Sequence, residues 1–340
     1  MKLFIFWSLL LIKKEIIIEV NLLIFYKIMY DLIIIGAGPA GMTAAIYAVR
    51  REMKTLIIGR EVGGQMVWAN EIENYPGFAK IGSFELIDKI KRQVLDFGAE
   101  LKEDEVKKIE RTSEGNFILY TNKETFETKT VLIAMGLSPR RLAVPGEEEF
   151  NGKGVSYCAN CDGPFYRDKS VAVIGGGNSA LDAAEVMSKI ANKVYLINRS
   201  ETFKAFDSLV AEVKSRNNIE IIFDTDVQDI IGGQKVEKIK IVNFKTKEER
   251  DITLDGVFVE VGRIASTDLV AEFVERNDKN QIIINDKAET KTPGLFAAGD
   301  VTNCEFKQIT IAMGQATTAA LSAYQYLQLK SGKSFIAKNY

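Results

Sequence analysis

Histidine is absent from all 340 residues, and cysteine occurs only three times. Without an imidazole, Ser-His-Asp and Cys-His hydrolysis, His-ligated zinc and haem are excluded. Any proton transfer falls to Asp, Glu, Cys, Lys, Tyr or a cofactor. Three thiols are too few for a disulfide framework in a chain this long, which points to a reducing compartment, with the cytoplasm as the default. No long run of either charge occurs: 44 basic residues stand against 46 acidic ones, a formal charge of -2. A nucleic acid or an anionic membrane is therefore not indicated, and the expected partners are small molecules or other proteins. A hydrophobic share of 46% over this length favours a soluble globular chain of two domains.

Long apolar runs are scarce as well. The stretch Leu3 to Ile12 is too short to span a bilayer, is cut by Lys13, Lys14 and Glu15, and has no small-residue cleavage site after it. A membrane anchor is disfavoured, and residues 1–28 read as an N-terminal extension upstream of a natural start at Met29, because the first recognisable strand begins at Tyr30.

From Asp31 the chain runs DLIIIGAGPAGMTAAIYAVRR, an apolar strand followed by Gly36, Gly38 and Gly41 in GxGxxG spacing and an alanine-rich helix. Glycines in that spacing make a tight turn and let backbone N–H groups approach a pyrophosphate at a helix N-terminus. Glycine turns between strand and helix also occur without any ligand. The frame recurs, however, in VAVIGGGNSALDAAEVMSKI, with Gly175, Gly177 and Ala180 in the same positions. Two such loops predict two dinucleotides, most often a bound flavin and a diffusible nicotinamide. Each loop is followed by short β-rich runs with polar turns, the first ELKEDEVKKIERTSEGNFILYTNKETFETKTVLIAMG. These predict an antiparallel layer in each half. A strand ending at Gly299 and Asp300, then a helix from about Gln308, predict a return to the first domain. Gly136 to Arg141 and Gly262 to Ser266 are the expected crossovers. The fold class expected is α/β, with two Rossmann-like three-layer β/β/α dinucleotide-binding domains, the first discontinuous.

Between the halves lies GVSYCANCDGPFY, with Cys158 and Cys161 two residues apart and Asp162 behind them. Such a pair can be half of a zinc site, a structural staple or a redox dithiol. Zinc fails on the count, since Cys304 is the only other thiol and no histidine exists. Cys304 itself reads as a lone buried thiol.

Taken together, GAGPAG at 36–41, GGQM at 63–66, ENYPG at 73–77, AMG at 134–136, CANCDG at 158–163, GGGNSA at 175–180, AAGDV at 297–301 and KQI at 307–309 resemble the low-molecular-weight thioredoxin reductases. The likeness runs over essentially all of Met29 to Leu329. Glutathione-reductase-like relatives space their cysteines more widely and carry a C-terminal His, and ferredoxin-NADP reductases of this fold lack the CxxC. Both are disfavoured.

The resemblance implies a homodimer, an FAD domain of 29–140 plus 264–340, and a nicotinamide domain of 141–263 that carries the dithiol and rotates against the first. It implies that Cys161 takes electrons from the flavin, that Cys158 attacks the partner disulfide, and that Asp162 is the acid/base. For FAD it implies Gly36, Gly38, Pro39, Ala40 and Gly41 at the pyrophosphate, and Gly63, Gly64, Gln65 and Asn74 near the nucleotide half. Gly299 and Asp300 would hold the ribityl or phosphate region. Lys307, Gln308 and Ile309 would begin a helix whose dipole favours negative charge on a reduced flavin. For NAD(P)H it implies Gly175, Gly177, Asn178, Ser179 and Ala180.

The sequence departs from the family at the end of the second strand. Where the family's NADPH signature reads His-Arg-Arg, then Phe and a further Arg, this chain has Asn198, Arg199, Ser200, Phe203 and Lys204. Arg199 and Lys204 remain as cations for a 2'-phosphate, while Ser200 removes one bidentate partner. No acid ends the strand, so NADPH is expected over NADH, with loosened discrimination. The partner is expected to be thioredoxin, with a glutaredoxin-like disulfide protein as the alternative. From another class, a flavin-binding redox sensor without turnover would use the same motifs.

Overall fold

The computed structural model describes residues 29–69 and 71–333; the extension expected at 1–28 lies outside them. Among the described residues no helix is long and apolar enough to cross a membrane.

The apolar run before the first glycine loop forms β1 (Met29–Ile35). Its residues Leu32, Ile33 and Ile34 are fully buried, because a parallel strand covered on both faces leaves no side for polar residues. β1 pairs in parallel with β2 (Thr55–Gly59) on one side and with a long strand of residues 125–133 on the other. β3 (Glu100–Glu103) extends the sheet beyond β2. β4 (Val106–Arg111), β5 (Phe117–Thr121) and β6 (Thr125–Ile133) form the expected antiparallel meander, joined to the parallel sheet because β6 belongs to both.

The second lobe repeats the plan. β7 (Val155–Ser156), β8 (Ser170–Ile174), β9 (Lys193–Ile197), β10 (Ile219–Ile222) and a strand of residues 256–259 make a five-stranded parallel sheet. Its meander is a separate three-stranded sheet, β11 (Thr225–Gly232), β12 (Val236–Asn243) and β13 (Glu249–Thr253). The parallel strand after it is β14 (Gly256–Val259).

The chain then returns to the first lobe. β15 (Leu295–Ala297) pairs with the second half of β6. The two crossovers pair with each other, Arg263 against Pro139 and Ile264 against Ser138. Helix α1 (Pro39–Val49) follows the first glycine loop and α2 (Ser83–Asp96) covers the same face; α3 (Asn178–Ser188) follows the second loop and α4 (Asp207–Ser215) lies beside it. The last helix, α5 (Ile309–Lys330), packs along α1. Ala316, Ala319, Ala320 and Ala323 of α5 share one buried cluster with Ala40, Ala44, Ala45 and Ala48 of α1. These small side chains let the two helices approach closely, so that both N-termini reach the same cavity.

Candidate active site

A cavity of about 1230 Å³ opens where the C-terminal ends of β1 and β6 meet the N-termini of α1 and α5. Gly36, Gly38, Pro39 and Ala40 line it from the first loop. Gly36 has φ +116° and an added Cβ would lie 2.2 Å from the Ala134 carbonyl oxygen, so the turn admits no side chain. Gly41 is not in the cavity wall; a Cβ there would fall 1.8 Å from the Gly36 oxygen. Its role is the close packing of helix against loop. Gly63 likewise stands behind the wall, donating its N–H to the Ala37 carbonyl and placing Gly64 and Gln65 at the surface.

The opposite wall carries charge. Gln65 Nε2 donates to Asp300 Oδ2 at 2.8 Å, and Lys307 Nζ donates to the Thr302 carbonyl at 2.8 Å. Burial raises the Asp300 carboxyl above its usual range, opposed by the Gln65 hydrogen bond and the Lys307 charge. Burial also lowers the Lys307 ammonium, opposed by Asp300. Gly299, beside Asp300, donates its N–H to Gln315 Oε1. Gln308 is the residue before α5, yet its side chain does not cap the helix; it accepts from Asn74 Nδ2 at 3.0 Å. Gly38, before α1, likewise supplies no side-chain cap. Two helix N-termini thus present uncapped N–H groups at one cavity, an arrangement that favours an anionic ligand. Bare glycine backbone on one side and a buried carboxylate with a helix N-terminus on the other fit the pyrophosphate, ribityl chain and ring of FAD.

The second glycine loop copies the first. Gly175 has φ +143°, and a Cβ there would lie 2.3 Å from the Glu260 carbonyl oxygen. Gly177 precedes α3, again without a side-chain cap. Asn178 Oδ1 accepts the Phe206 N–H at 2.9 Å. Ser179 is exposed and Ala180 is buried under the loop. The two expected cations differ in setting. Lys204 is exposed, and its backbone N–H donates to Gly176. Arg199 Nε lies 3.4 Å from Asp226 Oδ2.

Cys158 and Cys161 form a disulfide. A four-residue helical turn, Ala159–Asp162, follows Cys158, whose sulfur accepts the Cys161 N–H at 3.1 Å. The sulfurs of Cys158 and Cys161 lie 3.9 and 3.8 Å from the Val67 carbonyl oxygen of the first lobe. Disulfide sulfurs have no proton to donate, so these are packing contacts. Cys161 packs against the hydrophobic cluster that backs this cavity. Asn160 Nδ2 donates to the Trp68 carbonyl. Asp162 Oδ2 accepts from Ser156 Oγ at 2.7 Å, and the same hydroxyl accepts the Cys158 N–H at 3.1 Å.

Several of these partners are invisible to motif reading. Ser156, buried at 4% exposure, precedes the CxxC without a spacing signal. Arg263, in the second crossover, lies with its guanidinium carbon 3.7 Å from the centre of the Trp68 ring. It faces Glu260, and burial raises that carboxyl to about 7, with Arg263 opposing and Asp182 reinforcing the shift. Cys304, expected to be buried, is only half-buried, because the loop after Asp300 leaves the sheet and runs along the surface.

The pattern that defines the pyridine nucleotide-disulphide oxidoreductase family matches residues 30–316. The chain belongs to this family. Within this oxidoreductase family it is similar to the thioredoxin reductase of Treponema pallidum (strain Nichols), 37% identical over 88% of this chain and 97% of that one. Among solved structures it resembles the Lactococcus lactis thioredoxin reductase in its FR conformation, at 38% identity, 88% and 99% coverage, and a TM-score of 0.80. A thioredoxin reductase from Streptococcus pyogenes MGAS5005, at 39% identity and the same coverages, superposes at only 0.58.

Proposed function

We propose that this chain is an FAD-dependent reductase of thioredoxin disulfide that draws electrons from NADPH and, with narrow discrimination, from NADH. The observation that carries this reading is the Cys158–Cys161 disulfide of the second lobe seated against the Val67 carbonyl oxygen of the first, between Met66 and Trp68, which line the large cavity. A structural staple would have no reason to sit at that junction.

FAD, when bound, supplies a two-electron carrier between a nicotinamide and a disulfide. Gly36, Gly38, Pro39 and Ala40 hold its pyrophosphate, Gln65 fixes Asp300 against the ribityl region, and the start of α5 favours negative charge at the ring. Gly41 and Gly63 serve as backbone supports for that cradle. Gly175, Gly177, Asn178, Ser179 and Ala180 form the nicotinamide loop, with Arg199 and Lys204 at the ribose.

Once the dithiol is reduced, the Cys158 thiolate attacks one sulfur of the partner disulfide and releases the other as a thiolate. Cys161 then attacks Cys158, expelling the partner as a dithiol and restoring the internal disulfide. Asp162, oriented by Ser156, holds the proton that moves as the pair opens and closes. Cys158 is 8% exposed, so the partner reaches it only after the lobes move apart. The TM-scores of 0.80 and 0.58 for two relatives of nearly equal identity are what two settings of such lobes would produce. Phe165, 73% exposed beside the dithiol turn, offers an apolar contact to the partner. A cytoplasmic homodimer is the working form consistent with the low cysteine count and the family.

Anaerobic titration of the purified protein and of Cys158→Ser separates relay from sensor. The variant should still bleach the flavin band with NADPH while thioredoxin-disulfide turnover falls at least about a thousandfold. Unchanged turnover would sink the dithiol mechanism, and turnover confined to a glutaredoxin-like protein would change the partner.

A further inference from the structure

Strand registers make the two lobes comparable residue by residue. Ile35 pairs with Ile58 in the first, and Ile174 with Ile197 in the second. Gly59 and Arg60 therefore occupy the places of Asn198 and Arg199. In each lobe the next arginine after the second strand reaches an acid that follows the third: Arg60 pairs with Glu105, and Arg199 with Asp226. Arg60 and Glu105 both line the first lobe's cavity, which on the reading above would hold FAD, whose ribose carries no 2'-phosphate. The second lobe has built the same pairing at the position where NADPH would present one.

The surroundings of Arg199 reinforce this. Asp226 is well covered, at 20% side-chain exposure, while Arg199 is 68% exposed and also lies over the Phe244 ring at 5.5 Å. The neighbouring cation Lys245 is held by Asp224 at 3.0 Å and by Glu201 at 2.9 Å. Among the described residues Lys204 makes no ion pair. A 2'-phosphate entering here must draw Arg199 away from Asp226 and lie near a carboxylate that repels it. A 2'-hydroxyl requires neither.

We propose that Asp226, acting through Arg199, is the positioning residue that sets coenzyme choice, holding the guanidinium where a 2'-hydroxyl is tolerated and weakening the grip on a 2'-phosphate. This rests on reading the second loop as the nicotinamide site.

The test uses the FAD-loaded protein and calorimetric binding of 2',5'-ADP and 5'-AMP, with steady-state kinetics on NADPH and NADH. Asp226→Asn should tighten 2',5'-ADP about fivefold and leave 5'-AMP unchanged, the size expected for releasing one partly exposed ion pair. KM for NADPH should fall with kcat constant, and both NADH constants should stay put. The effect should vanish in an Arg199→Gln background, and Asp226→Glu, which retains the charge, should not tighten 2',5'-ADP. Equal shifts for both nucleotides, or no shift in either, would overturn the proposal. If the wild-type flavin is bleached by neither NADPH nor NADH, the nicotinamide reading itself fails and takes this proposal with it.

Discussion

The two glycine loops do the same backbone work with different fillings. In the first, Ala37 sits in the turn and Gly59 ends the second strand, where a Cβ would lie 2.8 Å from the Ala37 Cβ. In the second the roles are exchanged: Gly176 sits in the turn, and a Cβ there would lie 2.3 Å from Asn198 Oδ1. The same small space between turn and strand end holds one side chain in each lobe, contributed from opposite sides. Asn198 uses its position, donating to the Thr202 carbonyl at 2.9 Å, and so shapes the loop that carries Lys204. The comparison teaches that the glycine spacing reports the turn, while the residues at the strand end differ between the lobes and set the shape of the loop that follows.

The sharpest way to break this comparison is to place a methyl group in each turn separately. Gly36→Ala should yield protein without the visible flavin band. Gly175→Ala should keep the band and lose at least about tenfold in affinity for NADPH, since a Cβ meets a carbonyl and the positive φ adds about 1–3 kcal/mol of strain. If either variant loses both properties, the lobes do not hold separate nucleotides.

Next in size is a pH effect confined to the second lobe. Glu260 titrates near 7 because it is buried, whereas an unfolded glutamate titrates near 4.3. The folded state therefore binds more protons between those values, and stability falls as pH rises through the window, by at most about 4 kcal/mol. Urea unfolding of Glu260→Gln should show a flatter pH dependence between pH 5 and 7.5 than the wild type. Parallel curves would show that the carboxyl is not held neutral.

A smaller effect is expected at the contact between lobes. Arg263→Ala removes the cation over the Trp68 ring, worth about 0.5–2 kcal/mol. It should shift the tryptophan emission and raise the exposure of the dithiol to a thiol-specific reagent after mild reduction. An unmoved spectrum with unmoved labelling would show that the stack does not help hold the lobes together.

The smallest effect separates the two arginines. Arg60→Gln should change FAD affinity by less than about fivefold, as for an exposed ion pair. Arg199→Gln should weaken 2',5'-ADP more than 5'-AMP. Equal losses for the two nucleotides would remove Arg199 from the 2' position.

Much of the architecture was legible in the residues. The apolar runs before Gly36 and Gly175 became buried parallel strands, the β-rich segments became the two meanders, and the helix expected from about Gln308 begins at Ile309. Those signals are local: glycine spacing, hydrophobic period and turn residues act within a few positions. The meanders differ in a way that period alone does not reveal, since β6 of the first lobe is shared with the parallel sheet while β11 to β13 stand apart.

The candidate site was legible in part. The cavity brings together Gly36, Gly38, Gln65, Asn74, Asp300, Lys307 and Gln308, but Gly41 and Gly63 turn out to support it from behind. Asp226, Ser156 and Trp68 carried no motif. Their importance comes from pairing distant segments, as when Arg199 meets a residue on β11 or Asn160 meets the Trp68 carbonyl 92 residues away.

What the sequence determined unaided is therefore the chemistry available: two glycine turns of matching spacing, one cysteine pair with an adjoining carboxylate, and no histidine to supply another route. Tertiary structure alone decided which cation is engaged by an acid, which surface the disulfide packs against, and which carboxyls burial pushes above their usual range. The reason is range: turns and strands follow from interactions between near neighbours, whereas desolvation and charge pairing depend on which remote segments the sheets bring face to face.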